Sequence, residues 1–96
     1  MTMGAVTKAK LAERVHERVG LTKKESAEFV DDLFYVMRKA LADGDKVKIS
    51  GFGNFVVSDK HARRGLNPQT GEDIVIPRRR VVRFEYSRKL KDELNP

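Results

Sequence analysis

One predicted helix restricts what this chain of 96 residues can form. Residues 22–43, turned at about 100° per residue, place apolar side chains over roughly half of the helix circumference. One short neighbouring helix cannot cover so wide a face. We expect a sheet and a second chain to share the cover, because a domain of this size has a thin core when it folds alone. The predicted dimer interface on this helix contains Phe29, Leu33 and Val36.

Local signals mark the ends of two N-terminal helices. Thr7 is a suitable N-cap for the first, and Gly20 stands where a left-handed C-terminal residue belongs. Thr22 and Glu25 form a capping box, in which each side chain accepts a hydrogen bond from the other residue's backbone N–H. Gly44 ends the second helix. The pattern therefore predicts a helical hairpin in the first half of the chain.

Beyond these helices the apolar period changes to alternation, which indicates strands. Residues 46–49 alternate lysine with Val or Ile, as in a half-exposed strand. A tight turn is predicted at 50–54, a second strand opens at Phe55, and a return strand runs from 73 to about 85. Ser87 caps a short final helix. The predicted class is α+β, with two helices, a three-stranded antiparallel sheet, a β-ribbon arm and a C-terminal helix.

The arm, residues 58–80, is the unusual segment. It has too few large apolar side chains to pack on a core, and an isolated hairpin is marginally stable in water. The net charge of the chain is +6, so the partner that orders the arm is predicted to be anionic. Residues 67–71 have turn chemistry at the arm tip. The basic arm residues are Lys60, Arg63, Arg64, Arg78, Arg79 and Arg80.

The chain lacks the residues that several classes of function need. The absence of cysteine excludes disulfides and thiolate metal sites and suits a reducing cytosol. His16 and His61 have no partners at metal-ligand spacing, and residues 51–53 lack the rest of a phosphate-loop fingerprint. No apolar run approaches a membrane span, and no signal peptide is evident. We expect no enzyme activity, no metal or cofactor, no membrane contact and no small-molecule substrate.

Two motifs and their order resemble one known family. They are SGFGNF at 50–55 and NPQTGE at 67–72, followed by RRVVRF at 79–84. The chain is similar over residues 6–95 to the HU/IHF family of bacterial nucleoid-associated proteins, and the segment 65–74 is closer to the IHF alpha branch. The resemblance implies an intertwined homodimer or heterodimer of single-domain chains, here residues 1–96. Such dimers bend double-stranded DNA in the bacterial cytoplasm, with two arms in the minor groove.

The resemblance also implies roles for individual residues. Pro68 at the arm tip matches a wedge that enters between base pairs. Phe52 and Phe55 match core and interface aromatics. Arm positions that contact phosphates or line the groove are matched by Arg63, Arg79 and Arg80. Body positions that hold the flanking DNA are matched by Lys8, Ser50, Gly51 and Lys89. The full predicted DNA-binding set is Lys8, Ser50, Gly51, Lys60, Arg63, Arg64, Asn67, Pro68, Arg78, Arg79, Arg80 and Lys89.

Four residues depart from the family pattern. Leu66 and Gln69 stand where basic residues are common, as does Glu85, and Pro77 removes one donor from the return strand. Leu66 is either a neutral replacement that loses a phosphate contact or an apolar contact to the sugars or the wedge. The first interpretation is favoured because Leu66 has no apolar neighbour in sequence. Arg64 and Arg78 are expected to compensate for the lost charge.

Other interpretations of the chain stay open at this point. Pro68, Ser50 and Gly51 are equally suited to ordinary turns, and the arginine run to a solvated surface. An RNA or single-strand binder is a second candidate function, but the arm lacks the aromatic side chains on which bases stack. A protein-interaction module is a third, although dimerisation explains the wide helix face more simply.

Overall fold

A computed structural model describes residues 4–96, which form three helices and five strands. The predicted α+β class is confirmed. Strands β1, β2 and β5 form one antiparallel sheet in the order β1-β2-β5, and β3 and β4 form a separate pair. The residues group into two compact units, one up to Lys39 and one from Ala40 to Pro96. The elements are α1 (Lys8–Val19), α2 (Lys23–Ala42), β1 (Val47–Ile49), β2 (Gly53–Lys60), β3 (Arg63–Leu66), β4 (Asp73–Ile76), β5 (Arg79–Tyr86) and α3 (Arg88–Leu94).

The ends of the first two helices follow the predicted capping chemistry. The Thr7 hydroxyl accepts a hydrogen bond from the Lys10 N–H at 3.3 Å, and Gly20 ends α1 with φ 83°. The Glu25 N–H donates to the Thr22 hydroxyl at 3.1 Å, and the Thr22 N–H donates to the Glu25 carboxylate at 3.0 Å. The backbone and then the side chain of Thr22 lower the pKa of Glu25 through these bonds.

The helical unit buries little of its own surface. Val30 is 3% exposed, and Ser26, which interrupts the apolar face in the sequence, is fully buried beside it on α2. Lys8 near the start of α1 forms an ion pair with Asp31 of α2 at 3.1 Å. Among residues 4–96, Val30 is the one hydrophobic side chain that is fully buried. One copy of the chain therefore has almost no closed core.

The turn between β1 and β2 is shorter than the predicted 50–54. The Phe52 N–H donates to the Ile49 carbonyl at 3.0 Å, and Gly51 has φ 78°, a conformation that suits glycine. This closes the turn within residues 50–52, so Gly53 and Asn54 already belong to β2.

The return strand is broken, which corrects the single strand predicted from 73 to 85. Residues 53–60 pair with 79–86, and residues 63–66 pair with 73–76. The two residues between these ladders on each side of the ribbon lie outside the strands. Pro77 occupies the gap, and a proline lacks the N–H that a continuous ladder needs.

Three phenylalanines cluster around the start of β2. The rings of Phe52 and Phe55 lie 5.3 and 4.8 Å from the ring of Phe84. Phe52 is nevertheless 44% exposed in one chain, and its expected place in the core or interface of a dimer stays a prediction. Its place in the turn, outside both strands, leaves part of the ring without a neighbour.

The cluster leaves no space at Gly53, which generates a prediction. A Cβ atom there would lie 2.6 Å from the Glu85 carbonyl oxygen and 2.7 Å from the Phe84 ring. Gly53→Ala should lower the free energy of unfolding by about 1–3 kcal/mol, because the ring or the strand must move. Urea denaturation at fixed protein concentration measures the change. Asn54→Ala, at the next position of β2, is the control, and an equal loss in both variants would contradict this account.

Candidate nucleic-acid interface

The register of the sheet collects basic side chains on one face. Residues directly opposite on antiparallel strands share a face, and alternate residues along each strand share it too. Lys60 lies opposite Arg79, Val56 opposite Arg83, and Lys48 on β1 lies opposite Asn54. Glu85 is on the same face and pairs with Arg83 at 3.3 Å. The exposed basic side chains of this face, called the basic face below, are Lys48, Lys60, Arg79 and Arg83.

Arg79 and Arg80, which the sequence treats alike, lie on opposite faces. Arg79 belongs to the basic face, whereas Arg80 lies opposite Asp59 on the face that contains the phenylalanines. Its guanidinium donates to the Ala42 carbonyl at 2.9 Å and lies 3.4 Å from the Asp59 carboxylate. A cation at the last carbonyls of a helix is favourable, so Arg80 already has structural partners at the end of α2.

Three of the predicted body positions come together beside the first turn of the sheet. A Cβ atom at Gly51 would lie 3.7 Å from the Lys89 side chain, which therefore passes over the turn next to Ser50. The Ser87 N–H donates to the Phe52 carbonyl at 2.8 Å, and the Ser87 hydroxyl caps α3. These bonds hold the start of α3 against the turn and keep Lys89 there.

The arm tip is a compact turn organised by Asn67. The Asn67 N–H donates to the Glu72 carbonyl at 2.9 Å, and its own carbonyl accepts from the Gly71 N–H at 2.7 Å. Its side-chain oxygen accepts from the Gln69 N–H at 2.9 Å. Pro68 is exposed at this turn. The sequence assigned Asn67 to DNA, and the structure gives its side chain a role in shaping the turn that presents Pro68.

Leu66 has an apolar neighbour that the sequence order conceals. Leu66 lies opposite Asp73, and Arg64 lies opposite Val75. Because alternate residues of a strand share a face, Leu66 and Val75 are diagonal neighbours on one face of the β3–β4 pair. Leu66 is 65% exposed and Val75 is 72% exposed. The folded arm therefore places two exposed apolar side chains on one of its faces, and the choice between the two interpretations of Leu66 stays a prediction.

Two arm arginines are paired within the chain. Arg64 lies 3.8 Å from Asp73, and Arg78 lies 3.9 Å from Asp59. The arginine side chains are 85% and 68% exposed, so each pair is worth little in water. DNA phosphates can replace these carboxylates as partners of the arginines at a small cost in free energy. The compensation expected from Arg64 and Arg78 stays a prediction.

The remaining predicted residues are placed as follows. Arg63 and Lys60 lie near the base of the arm, on β3 and β2. Lys8 lies in the helical unit, where Asp31 is its partner. Lys48 and Arg83 belong to the basic face but were not among the predicted DNA-binding residues. The alternating lysines of 46–49 were a signal for Lys48, but the face of Arg83 follows only from the strand register.

Two kinds of site are absent from the described part of the chain. Across residues 4–96 no group of three or more His, Asp or Glu side chains is arranged to hold a metal ion. The helices of the same region are too short or too polar to cross a membrane.

Comparison with known proteins gives consistent matches. The sequence profile of the bacterial DNA-binding protein family matches residues 6–95. The integration host factor subunit alpha of Anaeromyxobacter sp. (strain K) is 53% identical over 90 residues, which cover 94% of this chain and 80% of that protein. The corresponding subunit of Bordetella avium is 59% identical over 86 residues, 90% of this chain and 74% of that protein.

Solved structures agree with these sequence matches. The HU chain of an Anabaena HU–DNA cocrystal has a TM-score of 0.82 and 32% identity, and the match covers 94% of this chain and 98% of that one. A mutant HU from Thermotoga maritima has a TM-score of 0.66 and 26% identity, covering 93% and 99%. The chain therefore belongs to the HU/IHF family of bacterial DNA-binding proteins, in its integration host factor alpha branch.

Proposed function

We propose that this chain acts as one half of a dimer that binds duplex DNA and bends it. The observation that carries the proposal is the arm, which leaves the sheet at Lys60 and Arg79 and ends in the exposed turn at Pro68. The basic face holds DNA phosphates, and the arm follows the minor groove. Pro68 enters between base pairs and kinks the duplex there.

The body of the protein holds DNA beyond the arm. Ser50, Gly51 and Lys89 are adjacent in the structure, and a backbone turn beside a lysine suits a phosphate. Lys8 exchanges its exposed partner Asp31 for the DNA backbone in the same way as Arg64 and Arg78. These contacts fix the position of the protein and carry no base-specific information, so preference among sequences comes from the deformability of the DNA.

A second chain completes the apolar surface. Phe29, Leu33 and Val36 on α2 are 51, 46 and 62% exposed in one copy. Apolar side chains concentrated on one face at this exposure indicate a protein interface. The partner is a second copy or a paralogous chain, and the relatives' designation as subunit alpha supports a paralogue. Phe52 and Phe55 contribute to the same dimer from the sheet unit.

The remaining parts of the proposal follow from the same role. Both compact units act together as one DNA-binding domain, residues 1–96, since the family profile spans residues 6–95 across both. The protein works at the bacterial nucleoid in the cytoplasm and needs no cofactor. Binding to RNA or single strands is disfavoured because the arm, residues 58–80, carries no Phe, Tyr or Trp on which unpaired bases would stack.

Fluorescence energy transfer across an end-labelled duplex tests the bend. We expect the wild-type protein to raise the transfer efficiency, and Pro68→Ala to abolish most of the rise while it still binds a nicked duplex. The variant keeps its phosphate contacts but loses the wedge. Gln69→Ala, the next residue of the same turn, is the control. An unchanged bend with Pro68→Ala would leave Pro68 an ordinary turn residue, and no binding to duplex would refute the function.

The two faces of β5 predict different effects for neighbouring arginines. Arg79→Ala should reduce the slope of log affinity against log salt by about one unit for each substituted chain in the dimer, the change for one lost phosphate contact. Arg80→Ala should leave that slope unchanged and lower the free energy of unfolding by about 1 kcal/mol, because it removes the bond to the Ala42 carbonyl. Binding isotherms over a salt series and urea denaturation measure both variants. Equal slopes in the two variants would contradict the assignment.

Dimerisation is tested with a pair of aromatic substitutions on α2. Phe29 and Tyr35 are 51 and 55% exposed in one chain, and they lie on different faces of the helix, about 120° apart. At equal protein concentration, Phe29→Ala should cost about 3 kcal/mol of stability, as for a buried aromatic, and Tyr35→Ala much less. The wild-type Tm should also fall on hundredfold dilution. Equal costs with a Tm independent of concentration would indicate a monomer.

A further inference from the structure

The ribbon is interrupted at the base of the arm. The β2–β5 ladder ends at the pair Lys60 and Arg79, and the β3–β4 ladder begins at Arg63 and Ile76. Residues 61–62 and 77–78 lie between the ladders. Within residues 4–96, the turns, loops and caps form backbone–backbone hydrogen bonds, and residues 61, 62, 77 and 78 take part in none of these bonds. The N–H groups of His61 and Ala62 are therefore available to a ligand.

A basic cleft opens at this interruption. It has a volume of about 450 Å³ and is lined by Lys60, His61, Ala62, Arg63 and Arg79. The lining has three permanent cations and one histidine, and no carboxylate. Backbone N–H groups beside several cations form a site for an oxyanion. The cleft therefore suits one phosphodiester group with its waters.

The nearby carboxylates are engaged elsewhere. Asp59 precedes Lys60, and its carboxylate lies 3.4 Å from Arg80 on the opposite face of the sheet and 3.9 Å from Arg78. Asp73 lies beside Arg64 on the β3–β4 pair. The charged groups that line the cleft with His61 are Lys60 from β2, Arg63 from β3 and Arg79 from β5. Arg78, in the gap across the ribbon, lies beside Asp59, and the β4 residue opposite Arg63 is the apolar Ile76.

We propose that this cleft binds a backbone phosphate of duplex DNA and that His61 makes the binding proton-linked. The proposal rests on the DNA-binding function and adds a regulation to it. Lysine and arginine side chains stay charged near neutral pH, whereas histidine is the residue type that changes its charge there. A phosphate beside the imidazole favours the protonated form. DNA affinity therefore rises as pH falls, and each chain takes up at most one proton when it binds.

The test compares wild-type protein with His61→Gln and His61→Arg on one duplex, in a buffer without phosphate. Binding is measured over a salt series at about pH 5.5 and about pH 8, near the two ends of the range in which histidine side chains change charge. Relative to His61→Gln, the wild type should gain roughly eightfold in affinity per chain on acidification at about 0.1 M salt, with a slope steeper by about 0.9. His61→Arg should bind at both pH values as the wild type does at the lower one.

Calorimetry in two buffers of different ionisation enthalpy measures the proton uptake directly. Uptake should disappear in His61→Gln and persist in His16→Gln, which changes the chain's other histidine. Equal pH dependence in wild type and His61→Gln would overturn the inference while duplex binding itself upholds the proposed function. Loss of duplex binding at every pH would refute the function instead. A His61 imidazole NMR signal that responds to inorganic phosphate as strongly as to duplex would overturn the assignment to the DNA backbone.

Discussion

The antiparallel register between β2 and β5 determines most of what this protein displays. Gly53 lies opposite Tyr86 and Lys60 opposite Arg79, and this register decides for every residue of the two strands which of the two faces its side chain occupies. One face receives the phenylalanines and the other the basic side chains. A shift of one residue would exchange the faces and remove both the apolar cluster and the basic face. Gly53 secures the register, because the Phe84 ring and the Glu85 backbone occupy the space that any side chain there would need.

Binding DNA and closing the core make separate demands on the chain. A single copy fully buries one hydrophobic side chain, Val30, among the residues described, while Phe29 and Val36 stay half-exposed or more. A second chain covers the exposed apolar side chains, and an anionic partner neutralises and orders the basic arm. Because the arm contributes nothing to a core, its residues are free to carry charge and a wedge without loss of folding stability.

The interruption near Pro77 separates the tip of the arm from the body of the protein. The β2–β5 ladder belongs to the body, and the short β3–β4 pair with the turn of Asn67 forms a separate tip. The gap leaves backbone donors and cations around one cleft. A continuous ladder would use those N–H groups within the sheet. The proline that weakens the strand by the usual rules therefore creates the conditions for a phosphate site.

The sequence alone determined the elements whose causes are local: the caps at Thr7 and Thr22, the glycine that ends α1, and the alternation that marks the strands. It also predicted the basic arm, since charge without apolar residues is visible in composition. Only the tertiary structure decided which side chains share a face. Arg79 and Arg80 are neighbours in sequence but lie on opposite faces of the sheet, and Leu66 and Val75 share one face of the β3–β4 pair. Such relations depend on pairing between distant residues, and no local pattern contains the register.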